Sequence, residues 1–433
     1  MKSVTSHPIL LSTLLLGIAG CASAADGDAV PDATDLTQMI TGGSPTVALR
    51  YRADYLKYTS DNAADQNPAT ASTLRAAIGY QTKSMDGFSG YAEIYDVAVI
   101  GQSDLYNDTY NGVDRPTIVD PAGSGVNQAY VKWADKSKWD TTMLFGRQLF
   151  AMNDQVFVSP SLYRQNNDRN DGFSIDTHPG LKELEFQGAY FYRNTDVTNR
   201  SVQMNTYIAN LAYSLDKIGR VAVYCMSLDF PRNNTVATQN VEYNSRTTLG
   251  ARVDGPYKID KDFAILYQGD IAQQKTGQNP QDIDAKYYMV DLGVSYQSYF
   301  LTGGYRHQSA DTNGVAGTQF QSSQIGYPWP WRGNMEEFVF NPDVGLKTVM
   351  IWGGGNIPAV KALSFDLFFF TFKSVTDSIN FGHEFSADLV YQMPWDKHWS
   401  VDATATHAVA DDTDTQATYL GGNRFTAETN YTF

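Results

Sequence analysis

The stretch that decides the fold is Arg424-Phe-Thr-Ala-Glu-Thr-Asn-Tyr-Thr-Phe433, in which apolar and polar side chains alternate. Successive side chains of a β-strand point to opposite faces, so this stretch has two distinct faces. One face carries Phe425, Ala427, Thr429, Tyr431 and Phe433. The pattern indicates either a strand of a closed barrel or an edge strand of a soluble sheet, and the rest of the chain must decide between them.

The same alternation recurs along most of the chain and gives about eighteen candidate strands between residues 46 and 433. The connections between them alternate in length, from short ones such as 84–87 and 393–398 to long ones such as 149–171 and 309–344. Short turns on one rim and long loops on the other are typical of transmembrane barrels. The sequence therefore predicts an all-β fold, a transmembrane antiparallel β-barrel of about 18 strands with short periplasmic turns and long extracellular loops.

The N-terminus has the features of a secretory signal, with Lys2 before a short apolar run and Ala22-Ser23-Ala24 as a small-residue cleavage site. We expect a signal peptide over residues 1–24, a short periplasmic segment over 25–45 and the barrel over 46–433. An alternative is a lipoprotein with Cys21 as the lipidated residue. Cleavage after Ala24 leaves Cys225 as the remaining cysteine, so no internal disulfide is expected.

Hydropathy and charge exclude several classes of protein. No run of 18 or more apolar residues follows the signal, so no transmembrane helix is expected, and a membrane-spanning chain must then form a closed barrel. The net charge is −15 and no basic stripe is present, which argues against nucleic acid as a partner.

The aromatic terminal strand resembles the last strand of bacterial outer-membrane β-barrel proteins. That resemblance implies location in the outer membrane, contact with its lipids and lipopolysaccharide, and recognition by the barrel assembly machinery through Phe433.

A second resemblance concerns the alginate-export family of outer-membrane channels. It rests on motifs that include Leu74-Arg75, Val126-Asn-Gln-Ala-Tyr130, Gly146-Arg147-Gln148 and Arg164-Gln165-Asn166. The resemblance implies a monomeric 18-stranded channel with an arginine-lined lumen, which conducts an anionic polysaccharide in the founding members. The segment 309–344, with Tyr327-Pro-Trp-Pro-Trp-Arg332, departs from the family pattern. We expect it either to fold inward as a constriction or to cover the mouth.

Strand parity and these motifs together predict a substrate pathway rich in arginine. Arginine suits carboxylates and phosphates because its planar guanidinium stays charged and can bind bidentately. The predicted pathway residues are Arg50, Arg52, Arg75, Glu93, Lys132, Arg147, Arg193, Arg246, Arg252, Arg306 and Arg424. The alternative is that these charges pair across strands and do no more than satisfy a polar interior.

The predicted function is an outer-membrane porin for passive or facilitated diffusion of small polar solutes, with carboxylates and saccharides as the anionic candidates. Two alternatives are an outer-membrane barrel enzyme and a surface binding or adhesion protein. The chain has no G-x-S-x-G motif, and no two of its six histidines have metal-ligand spacing. We therefore expect no catalytic residues, no metal and no cofactor.

Overall fold

The computed structural model describes residues 32–59, 67–137, 139–230, 245–276, 283–312, 317–321, 325, 333–411 and 419–433. Within these residues it contains one short helix and 18 strands, which confirms the predicted fold class and strand number. The predicted signal peptide 1–24 and Cys21 lie outside the described residues. The helix α1 spans Leu36–Thr41, and the strands, β1 to β18 in chain order, span Ser44–Tyr58, Ala69–Gln81, Phe88–Val99, Gly123–Asp135, Thr141–Gln148, Arg169–Thr177, Leu184–Thr195, Ser201–Leu215, Gly219–Asp229, Arg246–Lys258, Phe263–Thr276, Asp284–Tyr296, Tyr299–Gln308, Leu346–Asn356, Leu363–Lys373, Asn380–Gln392, Trp399–Ala410 and Gly422–Thr432.

Each strand pairs antiparallel with the next, and the sheet closes on itself through β1 and β18. At the seam Ala48 lies opposite Thr432 and Tyr58 lies opposite Gly422. A closed sheet leaves no edge strand with unpaired backbone groups, which the interior of a bilayer would not tolerate. The terminal strand is therefore the closing strand of a barrel, as predicted, and not a soluble edge.

The wall has two faces of different chemistry. In β8, Val202, Met204 and Thr206 are buried on the inner face, while Tyr207 and Leu211 are exposed on the outer face. Other strands repeat this alternation, and their outer faces carry many exposed aliphatic and aromatic side chains. Such an outer face fits a lipid environment, and a polar inner face fits a lumen.

The helix α1 lies just before β1, beside the turn between β2 and β3. Asp35 caps it by accepting a hydrogen bond from the backbone N–H of Gln38 at 2.8 Å. The backbone N–H of Lys83 donates to the carbonyl of Met39. No helix in the described ranges is long and apolar enough to cross a membrane.

The main apolar cluster lies inside the barrel, toward the rim with the long loops. It joins inward side chains of the wall, such as Tyr224, Tyr287 and Phe372, to the loop residues Phe157 and Phe338. The long loops therefore fold into the lumen and supply part of its core.

Candidate functional site

The loop 149–168, between β5 and β6, enters the lumen and is attached to β1 by arginines. Arg50 Nη1 donates to the carbonyl of Leu162 at 2.8 Å and to that of Arg164 at 3.0 Å. Arg52 Nη1 donates to the carbonyl of Tyr163 at 2.6 Å. Charged donors on neutral carbonyls make strong hydrogen bonds, so this end of the loop is fixed to the wall.

The other part of the same loop packs against a distant part of the wall. The ring of Phe157 lies 5.5 Å from that of Tyr224 in β9 and 5.2 Å from that of Tyr287 in β12. A third ring, Phe320, belongs to the loop between β13 and β14 and lies 6.0 Å from Phe157. The loop 149–168 thus crosses the lumen from β1 to β9 and β12 and constricts it.

The described part of the loop 309–345, between β13 and β14, also folds inward. Its Ile325 forms a parallel β-bridge with Val158, and the N–H of Ser159 donates to the Ile325 carbonyl at 3.1 Å. Arg246 of β10, which is fully buried, donates to the carbonyls of Gln319 and Gly317. The expectation of an inward constriction is thus confirmed for the described part, while Tyr327–Arg332 lies outside it.

A buried carboxylate in β16 holds the later part of this second loop. Glu384 accepts hydrogen bonds from the backbone N–H groups of Asn334 at 2.6 Å and Met335 at 3.2 Å. Gly333 has φ +75°, and a Cβ there would lie 2.6 Å from Glu384 Oε2. Only glycine combines that backbone conformation with so close an approach. The loop is therefore built to dock on this carboxylate.

Ion pairs join the two loops to each other and to the wall. Arg424 of β18 binds Asp54 of β1 at 2.5 Å and Glu336 of the second loop at 3.0 Å. Glu336 also pairs with Arg164 of the first loop. All of these side chains are largely buried, so the pairs stabilise one arrangement of the loops by excluding unpaired alternatives.

A second buried network lies on the far side of the lumen. Arg252 of β10 binds Asp254 at 2.7 Å, Asp154 of the first loop at 2.9 Å and Asp270 of β11 at 3.6 Å. Tyr224 Oη donates to Asp270 at 2.6 Å. For Arg52, Arg252 and Arg424 the structure therefore shows the alternative foreseen from the sequence, in which lumen charges pair and satisfy the interior.

Arg50 and Arg75 form a different arrangement, because the two are direct register partners on β1 and β2. Like charges directly opposite each other destabilise a sheet. The nearest acids compensate incompletely, with Glu428 3.8 Å from Arg50 and Glu93 3.6 Å from Arg75. The side chains of Arg50 and Arg75 are 19% and 10% exposed, so that of Arg50 is partly accessible from the lumen and that of Arg75 is nearly buried.

Arg169, the first residue of β6, extends this basic group. Its guanidinium lies 5.1 Å from the centre of the Tyr95 ring, and that of Arg75 lies 5.6 Å from the same ring. Two guanidinium groups therefore contact one aromatic ring, and each makes a favourable cation–π contact with it. We call Arg50, Arg75 and Arg169 the basic track.

The remaining predicted residues divide by the direction of their side chains. Lys132 lies opposite inward-facing Ser89, and Arg306 lies over the ring of Tyr287 at 5.5 Å. Most of the predicted set therefore lies on the inner face, namely Arg50, Arg52, Arg75, Glu93, Lys132, Arg246, Arg252, Arg306 and Arg424. Whether solutes contact these side chains stays a prediction.

For Arg147 and Arg193 the predicted position in the lumen is wrong, because the structure places both side chains on the outer face. Arg147 is two residues beyond the outward Phe145, and it pairs with Asp171, which pairs with Arg193. A bulge between Phe191 and Arg193 shifts the register of β7 against β8. Counting alternate residues from the inward Phe191 therefore assigned Arg193 to the wrong face.

Several residues that shape the lumen were absent from the predicted pathway, namely Asp120, Asp154, Arg164, Arg169 and Glu336. Four of these five lie in loops, where strand parity gives no direction. One available signal was the motif Arg164-Gln165-Asn166, whose first member joins the two loops through Glu336.

Burial also alters the chemistry of a loop carboxyl. Burial, together with the charge of Glu384, raises the pKa of Glu337 to about 8, although the hydrogen bond from the N–H of Leu420 opposes the shift. Within the described ranges, no three His, Cys, Asp or Glu side chains are placed to hold a metal ion.

Solved structures share this architecture. Acinetobacter baumannii OccAB3 is similar with a TM-score of 0.65 and 14% identity, over 91% of this chain and 100% of that one. Pseudomonas aeruginosa OccK9 (OpdG) has a TM-score of 0.68 and 9% identity, over 91% and 99%. A BenF-like porin from Pseudomonas fluorescens Pf-5 has a TM-score of 0.66 and 11% identity, over 91% and 99%.

The chain has the fold of an outer-membrane porin. At such low identity the likeness concerns the fold alone. No protein-family model and no curated protein matches the chain. The resemblance to alginate-export channels gains no support from these comparisons, which point to porins of the Occ and BenF-like type. Only the broader porin fold is supported.

Proposed function

We propose that this protein is an outer-membrane channel that passes small polar solutes, with a preference for anions such as carboxylates. The observation that carries the proposal is the register pair Arg50–Arg75 beside the lumen-crossing loop 149–168. Two guanidinium groups held together on the inner wall are costly for stability. They are well suited, however, to bind the carboxylate of a passing solute.

The loop supplies the selectivity of this channel. An empty barrel of this width leaves a wide aqueous pore that selects weakly. The loop narrows the lumen beside the basic track, since Arg50 binds the loop carbonyls through Nη1 and the side chain of Asn430 through Nε. A solute that passes the constriction must therefore pass close to these arginines.

Aromatic carboxylates are one class of candidate solute. One solved structure with the same fold, Pseudomonas aeruginosa OpdK, was determined with vanillate, at a TM-score of 0.64 and 9% identity. Anionic saccharides are the second class, motivated by the alginate-export resemblance in the sequence. The two are distinguished by whether a monocyclic carboxylate or a uronate oligosaccharide reduces the ion current at low concentration.

The test is ion selectivity in a planar bilayer. We expect purified protein to conduct, and its reversal potential under a salt gradient to show a preference for anions. Arg50→Gln and Arg75→Gln should each shift that potential toward cations, because each removes one positive charge from the pathway.

The matched control is Arg193→Gln. Arg193 lies on the outer face of the barrel, where it pairs with Asp171 at 2.5 Å. This variant should leave the reversal potential close to that of the parent. A parent channel with clear cation preference would overturn the anionic part of the proposal, and folded protein without conductance would overturn the channel itself.

Further parts of the proposal concern partners. We expect a monomer surrounded by outer-membrane lipids and lipopolysaccharide, assembled with the help of the barrel assembly machinery acting on Phe433. The enzyme and adhesion alternatives have no observation in their favour, and the basic track explains the lumen chemistry without them.

A further inference from the structure

An outward-facing charge ladder crosses the ends of β5, β6 and β7. Arg147 binds Asp171 bidentately, with Nε–Oδ1 at 2.7 Å and Nη2–Oδ2 at 3.0 Å. Arg193 Nε binds Asp171 Oδ2 at 2.5 Å from the other side. The three residues are consecutive register partners on adjacent strands. We call Arg147, Asp171 and Arg193 the outer ladder.

The outer ladder faces the surroundings of the barrel and not the lumen. Arg193 lies opposite Gln203, which shares the exposed face of β8 with Tyr207 and Leu211. The neighbouring inward positions are filled by other residues, among them Asn170 and Asn194, which bond to each other. The bulge in β7 turns Arg193 outward, and bulges are a known means of redirecting a side chain.

The ladder lies at the rim of the long loops. It is next to the ends of the strands that lead to the loops 149–168 and 196–200. Just below it on the outer face, the rings of Tyr190 and Tyr207 contact each other at 4.9 Å. Outward aromatic rings mark the interface of a barrel with the membrane surface, so the ladder is at the level of lipid headgroups in the outer leaflet.

The charges of the ladder do not cancel. Two guanidinium groups share one carboxylate, which leaves an excess of one positive charge. The Arg193 side chain is 44% exposed. Its Nη1 and Nη2 atoms have no hydrogen-bond partner among the residues that the structure describes, whereas Nε is held by Asp171. The exposed guanidinium is therefore oriented with two donors available.

We propose that the outer ladder binds a phosphate group of a lipid in the outer leaflet. A phosphate oxygen can accept hydrogen bonds from both terminal nitrogens of Arg193, a geometry that guanidinium favours. Arg147 adds positive charge on the other side of Asp171 and keeps that carboxylate in place. Exposed Tyr192 lies beside Arg193 and provides apolar contact for the lipid below the phosphate.

The test compares three additives with delipidated, folded protein: a phosphorylated outer-leaflet glycolipid, the same lipid without phosphate, and inorganic phosphate. Native mass spectrometry measures how much lipid stays bound. We expect the phosphorylated lipid to bind better than its dephosphorylated form. Arg193→Gln should weaken that binding about tenfold, the loss expected for charge-assisted hydrogen bonds.

Arg193→Lys and Lys261→Gln are the companion variants. The lysine keeps the charge but offers one nitrogen in place of two, so its binding should lie between that of the parent and that of Arg193→Gln. Lys261 is exposed in the short turn between β10 and β11, and its substitution should have no effect. The proposal is overturned if the two lipids bind equally well, or if Arg193→Gln binds the phosphorylated lipid as well as the parent does. It is also overturned if inorganic phosphate alone occupies the site in place of the lipid. Conductance of each variant, expected to be unchanged, shows that it is folded and separates this site from the channel function.

Discussion

Glu337 shows how one loop carboxyl becomes sensitive to pH. It lies in the loop 309–345, where Oε2 accepts a hydrogen bond from Leu420 N–H at 2.5 Å. Its Oε1 is buried and has no partner within the described residues. Burial disfavours the charged form, so the pKa rises from an ordinary 4.5 to about 8.

The sign of the effect on stability follows from that shift. The folded state binds the proton of Glu337 more tightly than the unfolded state does, so protonation of Glu337 stabilises the fold. This contribution to the free energy of unfolding is complete below pH 4.5 and is lost as the pH rises through about 8. We expect the midpoint temperature of thermal unfolding to decrease as the pH is raised from 6 to 9. In Glu337→Gln this decrease should be smaller. Glu183→Gln, at an exposed turn position, is the control. An identical pH profile for parent and Glu337→Gln would contradict the prediction.

At the same scale, the lumen arginines divide into two roles. Arg52 and Arg424 are 6% and 5% exposed and hold Asp54 between them. Arg50 and Arg75 are more exposed and face each other across two strands. Only the second pair combines greater exposure with like charges in direct register, so residue type alone does not identify the proposed pathway.

At the scale of elements, the loop 149–168 is the feature that narrows the lumen of a wide barrel. Phe157 is its anchor on β9 and β12, because it contacts Tyr224, Tyr287 and Phe320. Phe157→Ala removes these contacts, and removal of a buried aromatic ring costs about 3–5 kcal/mol.

We therefore expect Phe157→Ala to loosen the loop and to increase single-channel conductance and current noise in a planar bilayer. The control is Phe385→Ala, which removes a phenyl ring that is 53% exposed on the outer face. It should leave conductance unchanged. A Phe157→Ala channel with the conductance of the parent would show that the loop does not limit the current.

The β-bulges in the strands decide which face of the wall a side chain occupies. Register shifts occur between Glu93 and Ile94, between Asp171 and Gly172, and between Phe191 and Arg193. An inserted residue reverses the faces of everything beyond it. The outer ladder exists because of such a shift, and a count of alternate residues places Arg193 in the lumen instead.

For the whole molecule, closure depends on the pairing of β1 with β18. The N–H of Phe433 donates to the carbonyl of Val47 at 2.8 Å, and that of Val47 donates to the carbonyl of Phe433 at 2.9 Å. These bonds use the backbone, whereas the Phe433 side chain is 61% exposed. The side chain therefore adds little to the finished barrel.

Because the backbone of Phe433 closes the barrel while its side chain stays exposed, the two can be tested separately, which gives a prediction about assembly. Phe433→Ala should lower the amount of protein in the outer membrane of cells, because the assembly machinery loses its proposed contact. The same variant, refolded in detergent, should unfold at the same temperature as the parent and conduct equally. Normal amounts in the membrane would contradict a role for Phe433 in recognition, and Phe425→Ala serves as the control for a general loss of lipid-facing aromatics.

From the sequence we could predict the fold class, the strand number and the inward direction of most lumen charges. These follow from the period-2 alternation, which is local and survives small errors in strand bounds. Tertiary contacts set which arginines hold loops, which belong to the basic track and which face outward. Those outcomes depend on bulges and on contacts between distant residues, such as Arg50 and Leu162, 112 positions apart. No local periodicity encodes contacts of that kind.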